Sequence, residues 1–456
     1  MLRVASLILT GTASTAALTL ARNLLVARLI PVADYGVAAT FAVAMAAVEM
    51  ATTLGLQQQI VQDRAGDDAR LQAAMQGFQL LRGALAALAL LALAGPLAAF
   101  LGIPEAAWAY RWLALVPLLN AAQHLDIHRL GRRHRFGPLL WAGALPAAVA
   151  LALVWPLAAW LEDWRVMLWT LLAQAMLATL VSHLSAERPW RLRLDPRQMR
   201  DALAFGWPIL ANAVLMFAIF HGDKLIVGRI AGMASLGVFA LGVTLTLSPA
   251  LVIARTAQTA ALPRLSRAAE AGALTEPARR TCIALLAAGT AFAGLAALAG
   301  PATAPWLAST GYAALPALLA PLCILQGIRL AKTGPGVAAL ALGQTGNAMA
   351  ANLPRVAALG VGAGALARGA SIETLIWIGC VGEALGVVVA FALLARRAGV
   401  APPWPELAAW AAALAAAAMG WWPAVGAATV AMIGLALRAV RPRKDDVAAE
   451  PGRPSA

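Results

Sequence analysis

The chain has 456 residues, of which 61% are hydrophobic and 12% charged, and its formal net charge is +14. A soluble domain is roughly 45–50% apolar and about 25% charged, so a water-soluble enzyme, a disordered chain and a single-pass receptor with a sizeable polar domain are excluded. The basic residues fall in short loops between apolar stretches, which is the pattern of membrane orientation and not of nucleic-acid binding.

A membrane helix needs about 20 mostly apolar residues. Fourteen stretches read as such, near 4–27, 36–56, 77–101, 107–124, 137–160, 165–184, 203–222, 234–256, 281–301, 311–331, 344–365, 373–395, 405–419 and 422–439. The last two are short and joined by a tight turn at Gly420, Trp421, Trp422 and Pro423; twelve spans plus a loose hairpin is the alternative. Arginines crowd alternate loops. Arg129, Arg132, Arg133 and Arg135 follow the fourth span, Arg188, Arg191, Arg193, Arg197 and Arg200 the sixth, and Arg264, Arg267, Arg279 and Arg280 the eighth. The intervening loops are nearly bare, so the positive-inside rule puts both termini in the cytoplasm. Arg3 before an apolar run imitates a signal peptide, but the end of that run belongs to an internal repeat that a cleaved segment has no reason to carry.

The repeat aligns Asn23-Leu24-Leu25-Val26-Ala27-Arg28-Leu29 with Lys224-Leu225-Ile226-Val227-Gly228-Arg229-Ile230. It continues without a gap, pairing Ala33, Gly36, Val37 and Ala39 with Ala234, Gly237, Val238 and Ala240. Arg28, Gly36, Arg229 and Gly237 are its structural markers. Six spans separate the copies, which gives two parallel bundles related by an axis along the membrane normal, an architecture of transporters. The expected fold is all-α and polytopic, with about 14 transmembrane helices in two parallel six-helix lobes around a central cavity, plus a C-terminal helix pair. The N-terminal lobe is expected over 1–184, a cytoplasmic basic linker over 185–202, the C-terminal lobe over 203–397, the extra pair over 398–440 and a disordered cytoplasmic tail over 441–456.

A charge near the centre of a bilayer costs roughly 2.5 kcal/mol or more and is a functional candidate by default. Arg82, Arg111, Arg355, Glu49 and Glu383 lie inside expected spans. Arg22, Arg28, Arg229, Arg255, Arg329 and Lys332 lie near span ends, where long side chains snorkel to the interface. Cations outnumber anions, so the cargo is expected to be anionic, and the arginine fork suits a phosphate. Arg82, Arg111, Arg355, Arg22 and Arg255 are the candidates for cargo contact. Glu49, Glu383 and Asp223 are candidates for ion coupling, because a carboxyl in low dielectric exchanges protons nearer neutrality; permanent pairing with an arginine is the other reading. Pro208, Pro249, Pro316 and Pro321 fall inside expected spans as sites of kinks. Trp160, Trp164, Trp404 and Trp422 mark the interfacial belt.

No phosphate-binding G-x-x-x-x-G-K-[ST] loop is present, so ATP hydrolysis is not expected. Cys282, Cys323 and Cys380 sit in apolar runs without pairing spacing. His124, His128 and His134 neighbour Arg129, Arg132 and Arg133, whose charge repels a metal cation. No cofactor and no metal are expected, and no long outward loop carries acidic residues, which weakens a glycosyltransferase or polymerase reading.

Ala27-Arg28-Leu29-Ile30-Pro31-Val32-Ala33-Asp34-Tyr35-Gly36 resembles the first-loop signature of bacterial polysaccharide-repeat flippases, members of the multidrug/oligosaccharidyl-lipid/polysaccharide exporter (MOP) superfamily. Leu54-Gly55-Leu56-Gln57-Gln58 with Ile60, Arg132-Arg133-His134-Arg135-Phe136, Phe205-Gly206-Trp207-Pro208, Asp223 to Arg229, Leu236-Gly237 and Pro263-Arg264-Leu265-Ser266-Arg267 resemble later stretches of the same family. The resemblance implies a non-enzymatic flippase of the bacterial inner membrane. Its implied cargo is an undecaprenyl-diphosphate-linked oligosaccharide, and its partners are membrane lipids, a polysaccharide polymerase and other assembly proteins. A multidrug or peptidoglycan-precursor exporter is the nearest alternative. A membrane glycosyltransferase or polymerase, or a non-transporting assembly protein, are alternatives of another class.

Overall fold

The computed structural model describes residues 2–52, 60, 67–133, 135–295, 300, 302, 303, 305 and 311–440. Leu54 to Gln58, His134, most of the loop 301–310 and the tail 441–456 lie outside these residues, as do the side chains of Phe205, Trp207 and Pro208. Among the described residues the regular structure is helical throughout. The helices are α1 (Leu2–Leu29), α2 (Val32–Thr52), α3 (Ala69–Phe100), α4 (Ala107–Leu113), α5 (Leu115–Ala121), α6 (Asp126–Arg132), α7 (Gly137–Leu161), α8 (Arg165–Leu184), α9 (Pro196–Glu270), α10 (Thr275–Gly294), α11 (Leu315–Ala341), α12 (Thr345–Ala367), α13 (Ile372–Ala398), α14 (Trp404–Ala418) and α15 (Trp422–Val440). Eight helical stretches among the described residues are long and apolar enough to cross a membrane.

Among the described residues each expected span falls largely on helix, with differences that have local causes. The fourth is broken into α4 and α5 at Ala114. Pro117 has no N–H to offer the carbonyl of Leu113, and its ring crowds that carbonyl. The seventh and eighth form one run, α9, which starts at Pro196 inside the expected linker. Proline suits a first helical turn because its missing N–H would be unpaired there anyway. The apolar run Ala213–Glu270 has 58 residues, or about 87 Å of straight helix against a hydrocarbon core of about 30 Å. It breaks at Gly232 (φ 83°, ψ 173°), a conformation open to glycine and costly for other residues. Pro316 was expected inside a span but occupies the first turn of α11, where it costs no hydrogen bond; Pro321 and Pro335 are the internal prolines of that helix.

Packing divides the chain into two compact units. One comprises Met1–Ser248, Leu307–Ala313 and Ala363–Ile372; the other comprises Pro249–Trp306, Ala314–Gly362 and Glu373–Ala456. In the first unit α7 packs on α1 and α8, and α3 packs on α4 and α5. The repeat is visible there as a reciprocal crossing. A Cβ on Gly36 would lie 1.9 Å from the Met233 carbonyl oxygen, and one on Gly237 would lie 2.2 Å from that of Val32. Val32 and Met233 are themselves equivalent positions of the repeat, so the contact is pseudo-twofold. Val26 and Val227, another equivalent pair, are both fully buried.

A polar latch closes the end of this unit that carries the basic loops. Asp126, fully buried, accepts hydrogen bonds from Arg129 Nε (2.5 Å) and Nη2 (3.1 Å) and from the backbone N–H of Glu187 (2.9 Å) and Arg188 (3.3 Å). Arg129, counted from sequence among the loop arginines that set orientation, is 2% exposed. Burial alone raises the Asp126 carboxyl, but the Arg129 and backbone hydrogen bonds and the Arg129 charge outweigh it and hold the group below its ordinary value. A depressed folded pKa contributes stability that is present above the unfolded pKa of about 3.9 and is lost as pH falls through the folded value. Asp126→Asn is expected to cost about 3 kcal/mol. In thermal unfolding, its deficit should be constant from about pH 5 to 8 and shrink below about pH 4.

In the second unit α10 packs along α11 and α15. Glu406 of α14 accepts a hydrogen bond from Arg279 at 2.9 Å, tying the C-terminal pair to α10.

Candidate cation-rich site

The second unit gathers buried charge on α11, α12 and α13. Glu383 is fully buried. Its Oε1 accepts a hydrogen bond from Arg329 Nε at 2.8 Å and lies 3.8 Å from Arg355 Nε; its Oε2 pairs with Lys332 Nζ. Lys332 also donates to Asn352 Oδ1 at 2.8 Å, and Arg329 to Gln326 Oε1 at 3.2 Å. Within this unit, three cations therefore converge on one carboxylate.

Small residues make the cluster possible. Gly382 and Gly386 flank Glu383 on α13, and a Cβ there would lie 3.0 Å from the Pro354 carbonyl oxygen and 2.4 Å from that of Ala351. Bare glycines let α12 approach closely, as in small-residue interfaces of membrane helices. The Arg355 side chain, 1% exposed, lies along Gly379, one helical turn before Glu383.

Arg329 and Lys332 were read from sequence as snorkelling residues at a span end, and this is corrected here. The tenth span was expected to end at 331, but α11 runs on to Ala341. The two side chains therefore lie within the helix, 12% and 15% exposed, and are drawn to Glu383. The signal available was the spacing Gln326, Arg329, Lys332, which is every third residue on one helical face. Asn352 and Gln326 were also missed, since neutral amides in an apolar run carry no sign.

In the first unit Arg22 is 6% exposed, and its bonded partners are neutral: Gln174 Oε1 (2.5 Å) and Asn23 Oδ1 (3.2 Å). Arg82 is half-buried, and its Nε is buried without a hydrogen-bond partner among the described residues. The other candidates are not drawn into these clusters. Arg111, Arg255 and Glu49 are exposed, and Asp223 is half-buried. Of the repeat markers, Gly36 and Gly237 make the crossing, while Arg28 and Arg229 are exposed, Arg229 lying over the Phe100 ring at 5.5 Å. Among the described residues no group of three or more His, Cys, Asp or Glu side chains is placed to hold a metal.

Comparison with solved structures places this fold. A multidrug resistance MATE family transporter of the MOP superfamily, in an inward-facing conformation, is similar with a TM-score of 0.69 at 15% identity, over 84% of this chain and 94% of that one. The lipid II flippase MurJ, in an inward closed conformation, is similar with a TM-score of 0.71 at 12% identity, over 94% and 98%. A MOP superfamily transporter from Pyrococcus furiosus, described for the reverse polarity of its binding pocket, gives 0.58 at 15% identity, over 87% and 95%. At these identities the likeness establishes the fold alone, an all-helical fold like that of these transporters; the eight long apolar helical stretches among the described residues make it a multi-pass membrane protein. No curated protein matches the sequence significantly. The family model described as "Polysaccharide biosynthesis protein" matches residues 25–310. That match covers well over half of the chain, which therefore belongs to the polysaccharide biosynthesis protein family.

Proposed function

We propose that this protein is a flippase that carries undecaprenyl-diphosphate-linked oligosaccharide repeat units across the bacterial inner membrane by alternating access, for surface polysaccharide synthesis. The observation that carries the reading is buried positive charge: Arg22 held by neutral amides, and Arg329, Lys332 and Arg355 sharing one glutamate. Buried cations attract an anion strongly in low dielectric, and a diphosphate offers the paired oxygens that guanidinium groups bind. The family supports a polysaccharide context, and the likeness to a lipid II flippase supports a lipid-linked cargo. Loop charge supports cytoplasmic termini. The likeness to a multidrug transporter favours a second reading, drug export. A cationic drug is repelled by these clusters, which weighs against it.

Arg22 gives a test that separates cargo binding from folding. A buried cation without a carboxylate partner is costly to keep. Arg22→Gln is expected to leave the unfolding temperature unchanged or raised while lowering export by about tenfold, the loss of one charged hydrogen-bonding contact. Full export by a stable Arg22→Gln protein would remove Arg22 from the site. For the function itself, deletion in the native host followed by lipid-linked sugar analysis is decisive. Complete units should accumulate on the cytoplasmic face while surface polymer is lost. Normal polymer without accumulation would favour drug export.

A further inference from the structure

In the first unit, the linker between α8 and α9 crosses the early turns of α3 as a strap. Two buried glutamines of α3, Gln72 and Gln76, receive it. Gln76 Nε2 donates to the Arg191 carbonyl oxygen at 2.9 Å, and Arg188 Nη1 donates to Gln72 Oε1 at 3.1 Å. The Arg193 N–H donates to the Ala73 carbonyl oxygen at 3.0 Å. A Cβ on Gly77 would lie 2.1 Å from the Arg193 carbonyl oxygen, so α3 is bare where the strap crosses it. The positive-inside rule asks only for charge in a loop. Here a backbone fastened to α3 holds the loop's arginines in fixed places.

The strap lies at the level of a membrane interface. α8 has 20 residues, about 30 Å of helix, which is one hydrocarbon core. The Trp190 ring packs edge-on against His183, in the last turn of α8, with 5.3 Å between centroids. Tryptophan favours that level. Trp190, Leu192 and Leu194 are 37%, 47% and 64% exposed. Arg191, Arg193, Arg197 and Arg200 are exposed as well. Asp195 is the acid among them, and its Oδ2 lies 3.9 Å from Arg193 Nη2. Glu187, the acid before the strap, is taken by Arg129 and Arg135. Among the described residues Arg191, Arg197 and Arg200 pair with no carboxylate. Arg197 and Arg200 stand three apart in the first turns of α9, where the helix N-terminus itself favours an anion.

We propose that this strap is a docking surface for anionic phospholipid of the phosphatidylglycerol class, with phosphates at Arg191, Arg193, Arg197 and Arg200 and acyl chains against Trp190, Leu192 and Leu194. Charge complementarity and depth select the occupant. Four arginines against one carboxylate attract a net negative head group, and the choline of a zwitterionic one brings a cation that they repel. An acidic protein segment offers no acyl chain to the exposed tryptophan and leucines at this level. A prenyl diphosphate shares the phosphate chemistry, and competition separates the two.

The test is lipid retention by the purified full chain in nanodiscs of equal phosphatidylglycerol and phosphatidylcholine, read by native mass spectrometry. Phosphatidylglycerol should be enriched about tenfold in the retained fraction, since each arginine near an anionic leaflet contributes about fivefold. Arg191→Gln with Arg193→Gln should bring the two lipids near to equal retention. Arg264→Gln with Arg267→Gln, the same charge removed from the other end of α9, should leave the enrichment in place. Gln76→Ala frees the strap at constant charge and should lower the enrichment severalfold. Equal retention of both lipids by the wild type, absence of retained lipid, equal losses from the two arginine pairs, or displacement of phosphatidylglycerol by one equivalent of undecaprenyl diphosphate would each overturn the proposal. The wild-type competition decides it even where a variant fails to fold, and it stands apart from whether the protein is a flippase.

Discussion

Glu383→Gln is expected to be among the most destabilising single substitutions in the chain. It leaves Arg329, Lys332 and Arg355 without the carboxylate on which they converge, inside an apolar bundle. Removing one partner of a buried ion pair costs about 3–5 kcal/mol, because the remaining charge is desolvated without compensation. The reverse change behaves differently. Arg355→Met removes a cation while Glu383 keeps Arg329 and Lys332. It should change stability little and lower transport of an anionic cargo by about tenfold. A double variant, Glu383→Gln with Lys332→Met, should recover part of the stability lost, since it removes a cation along with the carboxylate. Thermal unfolding of the purified proteins measures all three. A Glu383→Gln protein as stable as the parent would mean that the cluster is hydrated, and its use as a buried anion site would fall with it.

The second large effect lies at the crossing of the two repeats. Gly36→Val and Gly237→Val place side chains where the partner's carbonyl oxygen lies 1.9 and 2.2 Å from the first added carbon. A backbone atom cannot rotate away, so the helices must part. Overpacking of this kind costs about 1–3 kcal/mol. The two losses should be similar in size, because the contacts are reciprocal. The double variant should lose less than the sum, since helices already parted have room for the second side chain. Strict additivity in thermal unfolding would show that the two glycines do not share one contact.

Much of the fold was legible because lipid imposes a simple rule. Backbone polar groups must pair within a helix, so apolar length alone locates the elements. The repeat was legible because Gly36 and Gly237 answer to the same backbone approach and so were kept as glycine in both copies. Boundaries were less legible. Pro117 broke a span that its hydropathy carried through, and α11 continued ten residues past its expected end. That second shift decides the site. It moves Arg329 and Lys332 from a helix end, where they would snorkel, to a depth at which they need Glu383. Glu383 and Arg355 were legible as intramembrane charges, but their mutual contact depends on glycines of α13 whose partner helix the sequence does not name. Arg111, Arg255 and Glu49 carry the same kind of signal and stand exposed, because hydropathy registers depth along a helix and not the direction a side chain faces.

The central claim, that buried cations move an anionic lipid-linked cargo, is tested most directly by reconstitution. The protein is placed in liposomes carrying a fluorescent undecaprenyl-diphosphate-linked sugar, with a neutral prenyl-linked sugar and a cationic dye as comparators. Translocation is read by loss of the fluorescence accessible to an external quencher. Transport of the diphosphate-linked sugar alone, slowed about tenfold by Arg22→Gln and by Arg355→Met at unchanged unfolding temperature, is the predicted result. Transport of the cationic dye with none of the diphosphate-linked sugar would contradict it.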